Sequence, residues 1–99
     1  MEDIQKYISE EDIAKQKKYL WGSIIGLLYL RDDGYPQLDN RIQTIINLVN
    51  GSAGLFNDKP KILSIVAWLE DARINDEQFR KDILDAANMI DRLEVRVDV

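Results

Sequence analysis

The chain contains neither cysteine nor histidine. Without cysteine there is no disulfide framework and no thiolate metal site. Without histidine there is also no ordinary zinc site, no Ser-His or Cys-His nucleophile, and no side chain that titrates near neutrality when unperturbed. Long apolar runs are missing as well. The most apolar stretch, Tyr19 to Leu30, has twelve residues, against the roughly 20 that span a bilayer, so it reads as a helix segment and not as a membrane anchor. The first residues, Met1-Glu2-Asp3-Ile4, are acidic where a secretory signal would be basic. A cytoplasmic location is the expectation. No Pro/Ser-rich linker, internal repeat or low-complexity tract divides the chain.

What remains is a globular composition: 99 residues, 45% hydrophobic and 31% charged. That length predicts one domain, and its core suffices without cross-links. The net charge of −5 is unevenly spread. Acids dominate residues 1–12 and 70–99, whereas residues 13–31 hold Lys15, Lys17, Lys18 and Arg31 and no acid. Phosphate backbones repel such a chain, which argues against nucleic acid as a partner and for a basic protein surface.

Apolar periodicity predicts an all-α fold, a small antiparallel bundle of four helices over residues 1–93, followed by an extended tail, 94–99. Glu2 to Ile8 suits a short helical turn. Ser9 is the candidate cap of a first helix running from Glu10 to about Arg31, with Ile13, Leu20, Ile24, Leu27 and Leu28 as its buried stripe. Gly34 and Pro36 end it. Asp39 is the expected cap of a second helix built on Ile42, Ile45, Ile46 and Val49, closed by Asn50-Gly51 or else extended over Ala53 to Phe56. Asp58 caps a third, with Pro60 in its first turn. This helix is apolar nearly all round (Ile62, Leu63, Ile65, Val66, Trp68, Leu69) and is expected at the centre. Asn75-Asp76-Glu77-Gln78 reads as a capping box. The fourth helix then presents Phe79, Ile83, Ala86, Ala87, Ile90 and Leu93 on one face.

Several features invite a functional reading, each beside a plainer one. Leu93 to Val99 alternates with period two and is β-branched at Val95, Val97 and Val99, which is strand grammar. A lone strand must borrow an edge, so Val95 and Val97 are candidates for pairing with a partner or a second copy. A frayed end or a last helical turn is the weightier alternative. Gly22 and Gly26, four apart on the most apolar helix, suggest close approach of another helix, within the chain by preference and otherwise from a second copy. Tyr19, Trp21, Tyr29, Tyr35 and Trp68 are candidates for an exposed anchor patch, since Trp and Tyr dominate interface hot spots, but aromatics at helical spacing belong more often to a core. Tyr35 is the exception, placed in the Asp32–Asp39 loop beside Asp32 and Asp33, where an exposed ring between acids suits a basic partner.

Candidate chemistry is sparse. Asp32, Asp33 and Asp39 around Gly34 fail as a calcium loop, because Gly34 and Pro36 stand where ligands are needed. Asp82 and Asp85 on the fourth helix, like Glu70 and Asp71 on the third, lie off the apolar stripes and read as solvated acids. Lys15, Lys17 and Lys18 are explained by pairing along the helix, Glu11 with Lys15 above all. Asn50 to Gly54 lacks the lysine and the preceding strand of a phosphate loop. No cofactor and no metal is expected.

These readings converge on a non-catalytic, acidic protein-binding module, an inhibitor or neutraliser of the immunity-protein, antitoxin or phage-inhibitor kind. Asp32, Asp33, Tyr35, Asp82, Asp85, Val95 and Val97 are its candidate contacts. One alternative is a homodimeric structural or adaptor protein. The other is a Mg²⁺-dependent hydrolase of the carboxylate-bundle type, for which Asp82-x-x-Asp85 is the nearest motif.

Overall fold

The computed structural model describes residues 10–56 and 58–94. The cap expected at Ser9, the turn expected over Glu2 to Ile8, and the strand expected at Val95 and Val97 lie outside them.

Among the described residues, four helices follow one another: α1 (Glu10–Asp32), α2 (Leu38–Ser52), α3 (Lys59–Ile74) and α4 (Phe79–Asp91). Short 3-10 turns, Ala53–Leu55 and Asp76–Gln78, extend α2 and precede α4. The helices form an antiparallel ring. α1 packs on α2 and α4, and α3 packs on the same two, so α1 and α3 face each other across a diagonal.

The stripes read from periodicity line the centre of this ring. α1 contributes Ile13, Leu20, Ile24 and Leu27, and α2 contributes Ile42, Ile45, Ile46 and Val49. From α3 come Ile62, Ile65, Leu69 and Ala72, and from α4 come Phe79, Ile83, Ala86, Ala87 and Ile90. Each large aliphatic side chain removed from water in this way contributes roughly 1.5–3 kcal/mol. Ala86 and Ala87 let α4 lie close to its neighbours. The α3–α4 pairing is the tightest in the ring.

The expectation that α3 is the central helix does not hold. In a ring of four, every helix keeps an outer side, and that of α3 leaves Leu63 58% exposed. Its second apolar flank, Val66 and Trp68, only half-buries against the core.

Helix ends explain the loop geometry. Gly34 adopts φ 70°, Tyr35 N–H donates to the Leu30 carbonyl (2.9 Å), and Gly34 N–H donates to that of Arg31 (3.0 Å). These paired bonds define a Schellman motif with glycine in the left-handed position. They aim the chain outward through Tyr35 and Pro36. Asp58 caps α3 as expected, accepting from Lys61 N–H at 3.4 Å.

Two expected caps are corrected. α2 starts at Leu38, one residue before Asp39, and the Asp39 carboxylate receives Arg73 of α3 instead (Nε–Oδ1 2.8 Å, NH2–Oδ2 2.9 Å). A bidentate guanidinium outcompetes a single backbone amide for that carboxylate. The capping box at Asn75 is absent too. The chain winds into a 3-10 turn there, and Gln78 N–H donates to the Asn75 carbonyl in place of side-chain caps.

Candidate functional site

Two surfaces, rather than a catalytic cleft, emerge from this arrangement. The first lies at the end of the bundle where α1 meets α2 and α3 meets α4. Arg31 joins the two loops. Its guanidinium stacks 4.4 Å from the centroid of the Phe79 ring, donates to the Asp76 carbonyl and stands 3.6 Å from the Asp76 carboxylate. Arg73, held by Asp39 and Glu70, braces the same end. The pairing draws the Asp39 carboxyl below its ordinary range, chiefly through the Arg73 hydrogen bond, and raises Arg73 in return. With both arginines engaged, Asp32, Asp33 and Glu77 remain exposed and make no ion pair among the described residues. Tyr35 is exposed beside them, and Ile74, the last residue of α3, is 85% exposed. Ile74 falls two residues past Ala72, on the side of α3 opposite its stripe, where periodicity gives an apolar residue no role.

The second surface is the outer side of α1. Tyr19 (54% exposed), Trp21 and Tyr29 (67% exposed) face away from the core, contrary to the expectation that aromatics at helical spacing are buried. They sit on turns opposite Leu20, Ile24 and Leu27, so burying those three turns the rings outward. Gly22 and Gly26 share this outer side. A Cβ built on either meets no described atom within 4 Å. Among the described residues, no other helix makes the expected close approach to these glycines. Their bare backbone instead opens a groove of about 500 Å³, lined by Lys18, Tyr19, Gly22, Ser23, Gly26, Leu30 and Arg41.

The carboxylates of α4 need a correction. Asp82 is not a solvated acid. It is 5% exposed, and its Oδ2 is buried with no hydrogen-bond donor. The position borders the stripe of Phe79, Ile83 and Ala86, and the close α3–α4 packing covers that border. Burial pushes the Asp82 carboxyl up to about 6, aided by a hydrogen bond to Asp71 of α3 and by that residue's charge. Asp85 is half-buried and engaged by Lys81 at 2.8 Å, which raises Lys81. Neither acid belongs to the surface that Asp32, Asp33 and Tyr35 share. Among the described residues, no group of three acidic, histidine or cysteine side chains is placed to hold a metal ion.

The lysines of α1 divide by role. Lys17 Nζ donates to the carbonyls of Asp91 (3.0 Å) and Leu93 (3.1 Å), closing the C-terminal end of α4. Lys15 pairs along the helix with Glu11, as expected, at 3.7 Å. Lys18 lines the groove and makes no ion pair among the described residues. No described helix is long and apolar enough to cross a membrane.

Comparison of the chain with protein-family models, with curated proteins and with solved structures finds no match to any of them.

Proposed function

We propose that this chain is a non-catalytic, cytoplasmic protein-binding module that holds a basic partner against the acidic end of its bundle, and so inhibits or neutralises it. The observation that carries the reading is the convergence there of unpaired acids (Asp32, Asp33, Glu77) with two exposed apolar side chains, Tyr35 and Ile74. Acids supply steering and register toward a basic surface, while a ring and an aliphatic side chain supply contact area. Ion pairs and the Schellman motif hold both loops, so little ordering cost opposes binding. Neither Asp82, buried, nor Asp85, engaged by Lys81, takes part in this surface.

The test is affinity capture from the source lysate at low and high salt, with wild-type bait beside Asp32→Lys/Glu77→Lys and Ile74→Ser. One stoichiometric basic protein, released by salt and lost with both variants, is the expected result. Recovery of bait alone, or a partner that both variants retain, would overturn the reading.

A further inference from the structure

We infer that α1 is a self-complementary dimerisation helix, its outer side covered by α1 of a second copy running antiparallel. Lys15, Tyr19, Gly22, Gly26, Tyr29 and Asp33 follow one another at intervals of four, three, four, three and four residues. That is the spacing of a coiled-coil seam, here on the side of α1 that the bundle does not use. All six are exposed or half-exposed. Asp33 stays in helical phase, its N–H donating to the Tyr29 carbonyl at 3.0 Å.

The seam reads alike in both directions about Ile24, save that Lys15 stands at one end and Asp33 at the other. A two-fold interface requires such a pattern, because residue i of one copy meets residue j of the other and the reverse. Antiparallel pairing centred on Ile24 sets Gly22 against Gly26 of the second copy, twice. The Tyr19–Tyr29 pairs flank that centre, and Lys15–Asp33 pairs close both ends. Parallel pairing would set Lys15 against Lys15 and Asp33 against Asp33, so charge selects the antiparallel arrangement.

The groove at Gly22 and Gly26 is where a second helix backbone approaches, and each glycine costs the isolated helix stability that nothing described in the chain returns. A seam spanning about 27 Å at a shallow crossing gives an interface at the small end of the range, hence a reversible dimer. Asp33 belongs to both surfaces, but the acidic-end variants (Asp32→Lys/Glu77→Lys and Ile74→Ser) leave it in place, so the two readings are tested separately.

Sedimentation of the full chain between about 1 and 500 μM tests it, a range that spans the reversible association expected here. Gly26→Leu should leave a folded monomer, since a Cβ there meets nothing described within 4 Å and leucine favours the helix. Asp33→Lys should weaken the dimer about tenfold, because symmetry places the like charge at both ends. Lys15→Glu added to Asp33→Lys should restore it. A wild type that stays monomeric at 500 μM, or a dimer unmoved by Gly26→Leu and by Asp33→Lys, would overturn the proposal. So would a Gly26→Leu variant that loses monomer stability, which would mean that the chain's own residues cover the seam.

Discussion

Replacing Asp82 by asparagine should stabilise the protein at neutral pH and change little in acid. Asp82 is 5% exposed, and its carboxyl is raised to about 6 from the ordinary 3.8. The groups facing it are Asp71 on α3, which raises it further, and Lys81 and Asp85 on α4, which act in opposite directions. A carboxyl whose folded value exceeds its unfolded one binds more proton in the native state across that interval. Stability therefore falls as pH rises from about 4 to about 6 and is level above it. The gap corresponds to at most about 3 kcal/mol, and a carboxyl one layer below the surface keeps part of its hydration, so roughly 1–3 kcal/mol is expected. Asparagine removes the buried charge, and its amide can donate to the Asp71 carboxylate. Urea unfolding followed by circular dichroism from pH 4 to 8 reads this directly. The advantage of Asp82→Asn should be near zero at pH 4 and full by pH 7, raising Tm there by about 5–15 °C. A difference that does not vary with pH, or a variant weaker than wild type at pH 7, would refute the account of a carboxyl raised by burial against α3.

Other perturbations isolate single contacts. Ile83→Ala, at a fully buried position of α4, should lower unfolding stability by about 2–5 kcal/mol, read in the same urea titration. Lys17→Met keeps the aliphatic stem but removes the donor to the Asp91 and Leu93 carbonyls; about 0.5–1 kcal/mol should be lost, with faster amide exchange confined to the last turn of α4. Gly34→Ala forces a side chain into φ 70° and should cost about 1 kcal/mol, visible as a lower urea midpoint with an unchanged slope.

Much of the fold was legible because burial imposes a period. The stripes of α1, α2 and α4 were written at intervals of three and four, and Asp58 and Gly34 marked ends whose geometry only a few residue types satisfy. Caps with competing partners were harder to read. Asp39 resembles an N-cap until Arg73, 34 positions away, takes its carboxylate. Asp82 illustrates the same limit at the border of a stripe, where a neighbouring helix decides whether a side chain is wet. For the acidic end, Asp32, Asp33 and Tyr35 were readable from the loop alone. Ile74 and Glu77 join them only once α3 and α4 bring the second loop alongside, which local pattern does not encode.

The distribution of apolar residues separates what folds the chain from what is left over. A ring of four helices asks each for one inward stripe, and α2 and α4 carry little more than that. α2 exposes Asn40, Arg41, Thr44 and Asn47, while α4 exposes Arg80, Lys81 and Asn88 and one large apolar side chain, Leu84. α1 departs from this economy. Its outer side bears Tyr19, Trp21 and Tyr29 around two glycines that lower helix propensity, and none of these completes the described core. Selection for stability alone would replace the glycines with alanine and the rings with charged helix formers. No contact among the described residues accounts for them, and the proposed dimer would. A palindromic spacing closed by opposite charges is what the proposed contact with a second α1 asks for, and an arbitrary apolar surface does not ask for it.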